Sequence, residues 1–308
     1  MMKKTLMGLT AAALLTSATA CQSNTQPAAS VNPPINSVSP APTTAHPADK
    51  SGTPSTPVAP AQPVKPIEAA PGSTAPATQT PSTPAEAPKA AQSEAKLYKL
   101  NPKSYDIVPI DTTITNKNVV LLTFDDGPKD KEMLEPLLNT LDKHHAKAIF
   151  FVNGYRVKQK PELIKLITDH GHMIGNHSWD HIDLKKENKE KIDQQIGDVT
   201  KQITELTGKA PQFFRPPFGS GGDLVREKVK QDNMLFMTWS NGSLDWEMTT
   251  KNNNPDKVVS NVLEQLRPGS NILMHELQWT VEAMDKLLTQ LEQKNYGFVD
   301  PATIDTSL

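Results

Sequence analysis

The chain has 308 residues, a net charge of −2 and a single cysteine. That charge gives no electrostatic reason to expect a nucleic-acid partner. One cysteine excludes an intrachain disulfide and a cysteine-based zinc site.

Residues 1–21, MMKKTLMGLTAAALLTSATAC, place two lysines before a short apolar core of Leu and Ala, then small residues. This is the pattern of a secretory signal peptide, too short to span a membrane as a helix. Ala18, Thr19 and Ala20 precede Cys21 in an arrangement similar to a bacterial lipobox. Cys21 is therefore expected to be lipidated and to attach the mature protein to the membrane from outside the cytoplasm. Residues 22–97 hold 16 of the 27 prolines and no aromatic residue, so they cannot bury enough apolar surface to offset ordering entropy. They are expected to form a disordered, semi-extended tether. Residues 98–308 are about the size of one ordinary domain.

Within that domain strand and helix patterns alternate. NVVLLTF (118–124) reads as a buried strand, and 131–145 as a helix with Leu134, Leu137, Leu138 and Leu141 on one face. KAIFFVNG (147–154) is a strand, 161–171 a helix opened by Pro and closed by Gly, and HMIGN a short strand. A long amphipathic helix over 186–208 carries Ile192, Ile196, Val199, Ile203 and Leu206 on one side. The strand QFF, the helix DLVREKVKQDN, the strand MLFMTWS, the helix PDKVVSNVLEQLRPG, the strand SNILMHE, a last long helix and the strand YGFVD complete the chain. About seven strand-helix units predict an α/β fold, a distorted (β/α) barrel with a parallel sheet and outer helices.

Functional residues of such folds gather at the carboxyl ends of the strands. Here Asp125 and Asp126 follow VVLLTF, His177 and His181 follow MIGN, Arg215 follows QFF, Asp245 and Trp246 lie past MLFMTWS, and His275 follows NILM. Of the eight histidines, His46 lies in the tether. His144, His145, His170 and His172, at a helix end and around Gly171, are expected on the surface. His177 and His181 are four apart, and two imidazoles with a carboxylate suit a divalent metal. One aspartate of the pair can bind that metal while the other stays free as a general base. His275 can then protonate a leaving group, and Arg215 can fix a carboxylate rotamer.

The motifs TFDDGP, GHMIGNHSWDH, RPPFG, LDW and ILMHE occur in the order and rough spacing of the NodB-homology polysaccharide deacetylases, carbohydrate esterase family 4. The resemblance covers about residues 117–300. It implies a divalent cofactor, zinc foremost with cobalt or another divalent metal as alternatives, and removal of acetyl groups from N-acetylated sugars. By this resemblance Asp125 is the catalytic base, and Asp126, His177 and His181 are the metal ligands, supported by Ser178. Arg215 positions the base. Phe218, where the family has Tyr, supplies a backbone N–H to the oxyanion. Asp245 tunes the catalytic His275, and Trp246 and Leu273 wall the acetyl methyl. The family's aspartate four residues before that Trp is Gly242 here, which bears on substrate contacts more than on the chemistry.

The expected substrate is a cell-envelope polysaccharide, peptidoglycan first, with poly-N-acetylglucosamine, chitin oligomers, N-acetylmuramic acid and acetylated xylan as alternatives. A monomer is expected. Three competing readings are a non-heme iron facial triad, a carbohydrate-binding module without activity, and a structural envelope lipoprotein. The first leaves Asp125, Arg215 and His275 without roles.

Overall fold

The computed structural model describes residues 95–307. The expected signal peptide, Cys21 and the tether up to residue 94 lie outside the described residues. Strand β1 (Tyr98–Leu100) pairs antiparallel with β2 (Ile107–Pro109). The chain then alternates: β3 (Val119–Gly127), α1 (Lys131–Lys143), β4 (Ala148–Val152), α2 (Gly154–Gln159), α3 (Glu162–Asp169), β5 (Met173–Asn176) and α4 (Lys189–Thr207). Next come β6 (Phe213–Phe214), α5 (Asp223–Gln231), β7 (Leu235–Phe236), β8 (Asn241–Gly242), α6 (Pro255–Glu264) and β9 (Ser270–His275). The last elements are α7 (Gln278–Gln293), β10 (Gly297–Phe298) and β11 (Ile304–Asp305).

Local chemistry sets the helix limits. Asp130 caps α1, its carboxylate accepting the Met133 N–H at 2.9 Å. Leu134, Leu137, Leu138 and Leu141 are buried at helical spacing. Asn188 caps α4 in the same way, and Gly208 ends it in a left-handed conformation. Asn254 caps α6, with Pro255 in its first turn.

The main sheet runs β7-β6-β5-β4-β3-β9-β8, with β10 against the first two residues of β3, and every pairing is parallel. It does not close: β7 and β8 are free edges, so the barrel is a half-barrel. Alternation along β3 divides the core. Val120, Leu122 and Phe124 pack in the layer shared with the helices, against residues such as Leu138, Leu287 and Met284. Val119 and Leu121 turn the other way, into an interior cluster with Ile149, Phe151, Phe213 and Met237. Thr123 and Asp125 continue that interior face toward the strand's carboxyl end.

The structure differs from the sequence expectations in several places. MLFMTWS is not one strand: β7 covers two residues, and pairing resumes only at β8. The Thr238 carbonyl between them accepts side-chain donors from Arg215 and Asn271. A separate three-stranded sheet, β11-β1-β2, uses strands too short to leave a period-two pattern. His172 is buried rather than exposed, packed 5.4 Å from the Phe150 ring with neither ring nitrogen hydrogen-bonded. The His144 side chain is also largely covered, between Asp285 and Glu292. Among the described residues no helix is long and apolar enough to cross a membrane.

Candidate active site

The carboxyl ends of β3, β5 and β9 and the turns after β6, β7 and β8 enclose a cleft of about 410 Å³. Asp125, Asp126, His177, His181, Phe218, Trp246, Leu273 and His275 all line it. Arg215 and Asp245 are fully buried behind it.

Neighbouring residues of a strand point to opposite faces, yet Asp125 and Asp126 share the cleft. Asp126 has φ +64°, and the β3–β4 register shifts between Asp125 and Gly127. Other left-handed residues cluster at the same rim: Ser178, His181, Phe218 and Leu244. Such backbone is costly for residues with a side chain and gathers where a site must be shaped.

The two carboxylates have different partners. Asp125 Oδ1 accepts from Arg215 Nη1 at 2.7 Å. The same guanidinium donates to Thr123 Oγ1, the Thr238 carbonyl and Asn271 Oδ1, and lies 4.4 Å from the Phe151 ring centroid. Burial lowers the Arg215 pKa, while Asp125 offsets that loss by favouring the charged form. Asp126 Oδ1 is buried without a hydrogen-bond donor. It lies 3.4 Å from His177 Nε2 and 3.2 Å from His181 Nε2. Burial opposes its charge, but His177, His181 and His275 hold its carboxyl well below the usual range.

His177 Nδ1 is 2.7 Å from the Arg215 carbonyl, an acceptor only, so Nδ1 carries a proton, and in the neutral ring that a metal ligand must be, Nε2 is left with its lone pair toward Asp126. In that neutral form acceptor faces acceptor, an arrangement that a cation satisfies. Asp126, His177 and His181 each offer one ligand atom, all within 4.8 Å of one another, the one such cluster among the described residues. The donor set of two imidazoles and one carboxylate fits zinc or a similar divalent ion and leaves coordination positions for other ligands.

On the other side of the cleft His275 Nδ1 meets Asp245 Oδ1 at 2.8 Å. Asp245 Oδ2 accepts from the His275 backbone N–H at 2.8 Å and from Thr280 Oγ1 at 2.7 Å. The Trp279 indole N–H donates to the Asp245 carbonyl. Burial works against protonation of His275, but the hydrogen bond and charge of Asp245, together with the charges of Asp125 and Asp126, outweigh it and raise the His275 pKa. Its Nε2 faces the cleft, 4.0 Å from Asp126 Oδ2.

Phe218 stands on the rim, 66% exposed, its ring edge-on to His181 at 4.6 Å. Trp246 lies edge-on to both His275 and Trp239. Ser178, next to His177 in the chain, is buried, but its hydroxyl has no partner; its backbone N–H is held by Asn176 Oδ1. Residues absent from the sequence reading are Trp239, which lines the cleft, and Thr123, Asn271 and Thr280, which hold Arg215 and Asp245. For Thr123 and Asn271 a signal existed: each is a polar residue bordering a buried apolar run, VVLL and ILM respectively.

The polysaccharide deacetylase family model matches residues 112–237. A peptidoglycan-N-acetylglucosamine deacetylase of Bacillus cereus is 37% identical over 201 residues, 62% of this chain and 70% of its own length. The corresponding enzyme PgdA of Listeria monocytogenes is 36% identical over 66% of this chain but only 41% of its own length, so this chain spans less than half of it. The peptidoglycan-N-acetylmuramic acid deacetylase PdaA of Bacillus subtilis is 32% identical over 60% of this chain and 70% of its own. Among solved structures, a peptidoglycan N-acetylglucosamine deacetylase in complex with a benzamide aligns with a TM-score of 0.57 and 37% identity, over 62% of this chain and 90% of that one. A CE4 family pseudoenzyme from Bacillus anthracis aligns with a TM-score of 0.56 and 32% identity, over 59% and 63%.

Proposed function

The chain belongs to the polysaccharide deacetylase family, and on that premise we propose that it removes acetyl groups from N-acetylglucosamine residues of peptidoglycan. The observation that carries this reading is the division of labour around one cleft. A free carboxylate paired with Arg215 and an imidazole paired with Asp245 flank an Asp-His-His ligand cluster.

In this reading Asp126, His177 and His181 hold the metal. When bound, a divalent cation there would supply Lewis-acid stabilisation of the charge that develops on the acetamide oxygen and would acidify water. Asp125, its Oδ1 held by Arg215, takes a proton from the water that attacks the acetyl carbon. The Phe218 backbone N–H donates to the oxygen of the tetrahedral intermediate. His275, protonated through its pairing with Asp245, passes a proton from Nε2 to the departing amine as the C–N bond breaks. The products are acetate and a free glucosamine amine, and no side chain is acylated. Trp246 and Leu273 wall the methyl group.

The protein's place in the envelope follows from residues 1–21: an exported chain lipidated at Cys21 and tethered above the membrane meets the wall polymer first. The Bacillus anthracis relative described as a pseudoenzyme keeps the second reading, a binding module without turnover, in view. Against it, Asp125, Arg215, Asp245 and His275 are all present here and paired.

The test of substrate is to incubate the zinc-supplied protein with peptidoglycan, chitin oligomers and acetylated xylan, and to locate acetyl loss by mass spectrometry after digestion. Loss from glucosamine units of peptidoglycan is expected. Loss from muramic acid alone, or from xylan alone, would overturn the substrate assignment.

A further inference from the structure

Strand β9 carries one residue that its surroundings do not call for. Asn271, Leu273 and His275 share a face of β9, opposite Leu121, Thr123 and Asp125 of β3. Leu273 and His275 line the cleft, and Asn271 lies two residues beneath Leu273 on the same face, fully buried. A β-branched apolar residue would suit a central strand at this depth. An amide there must be desolvated and is tolerated only if its hydrogen bonds are made.

They are made with the groups that fix the base. Asn271 Oδ1 accepts from Arg215 Nη2 at 3.1 Å. Its Nδ2 lies 3.0 Å from the Thr238 carbonyl, which also accepts from Arg215 Nη2 at 2.8 Å. The same Nδ2 reaches the Tyr105 carbonyl at 3.3 Å, in the turn between β1 and β2. Asn271 therefore holds one acceptor for Nη2 and steadies the other. The remaining end of the guanidinium, Nη1, holds Thr123 and Asp125.

We propose that Asn271 is a positioning residue: it fixes the Arg215 guanidinium, and through it the Asp125 carboxylate, and it links the β1–β2 hairpin to that array. The proposal rests on the reading of Asp125 as the base. It makes the hairpin, which precedes the segment matched by the family model, part of the support of the site. Without Asn271, Nη2 keeps one acceptor, and Arg215 can rotate away from the plane that Asp125 requires.

The test uses two variants of nearly the same shape in the full-length, zinc-supplied protein. Asn271→Leu keeps the branching at Cγ and removes the acceptor, and Asn271→Asp keeps an oxygen at the Oδ1 position. For Asn271→Leu kcat is expected to fall about tenfold, the loss of one charge-assisted hydrogen bond to Arg215, with KM within about twofold and zinc content unchanged. Asn271→Asp is expected to recover most of the lost rate. A merely structural residue would lower the melting temperature of both variants and leave kcat per folded protein unchanged. That result, or equal kcat loss in both variants, would overturn the proposal.

A second readout does not depend on turnover: nitrogen NMR of the Arg215 guanidinium. Slow rotation in the wild type and Asn271→Asp, and fast rotation in Asn271→Leu, is expected. The same rotation rate in all three would overturn the proposal even if the wild type deacetylated none of the substrates, an outcome that by itself counts against the proposed function.

Discussion

Asp125 and Asp126 reach the same cleft because one residue departs from strand geometry. Asp126, at φ +64°, turns its carboxylate to His177 and His181, while Asp125 keeps the regular alternation and meets Arg215. The adjacency of two acids was visible in the sequence, and so was the His-x-x-x-His spacing. The partition of the two acids was not, because it depends on Arg215, 90 residues away from Asp125, and on a backbone conformation with no local signal. His172 shows the converse error. Its place beside Gly171 suggested a turn at the surface, yet its ring is sealed against Phe150. Burial, assisted by the charge of Lys147, pushes the His172 pKa down to about 4. The unfolded chain binds this proton near pH 6.5 and the folded chain only near 4, so the unfolded state holds more protons between those values. The associated stability is present above about pH 6.5 and is lost as pH falls, by roughly 3 kcal/mol at most. Urea denaturation between pH 4 and 7 is expected to show that slope, and His172→Phe is expected to flatten it. An unchanged slope in the variant would assign the acid sensitivity to other groups.

The elements are legible in proportion to their length. Helices α1, α4 and α7 and strands β3, β4 and β9 carry their own period or an unbroken apolar run, so their existence and order follow from the sequence. The two-residue strands β6, β7 and β10 lie inside the apolar runs QFF, MLFMTWS and YGFVD and are legible there, whereas β8 and β11 are too short for any period and are defined by tertiary pairing. The six-residue helix α2 is likewise silent. The β1–β2 hairpin was missed for the same reason, although it meets the barrel at a demanding point. Ile107 N–H donates to the Gly269 carbonyl at 2.8 Å, and Gly269 has φ +84° with the Ile107 carbonyl where a Cβ would stand. Gly269→Ala must both strain the backbone and push the hairpin away, at a cost of roughly 2 kcal/mol or more. A lower denaturation midpoint is expected, together with faster proteolysis near residues 101–106. A midpoint equal to the wild type would mean that the hairpin is only loosely held.

For the whole molecule, the parallel half-barrel explains why residues spread from 125 to 275 meet in one cleft. Every strand of the main sheet runs the same way, so their carboxyl ends share one rim, and each strand-helix unit can add a side chain there. The count of units and the location of the rim could be read from apolar runs that end in polar residues. Closure could not: the edges at β7 and β8 follow from pairings of two residues, where the chain between them gives up ladder bonds to hold Arg215. The central claim is that this rim is a metal-supported deacetylase site with Asp125 as its base. Acetate release from purified peptidoglycan by the zinc-supplied wild type, set beside Asp125→Asn and a chelated sample, tests it most directly. The account predicts steady release by the wild type, a fall of about a hundredfold or more in Asp125→Asn with metal still bound, and recovery of the chelated sample on adding zinc. Release at the wild-type rate from Asp125→Asn, or no release from a wild type shown to hold metal, would contradict it.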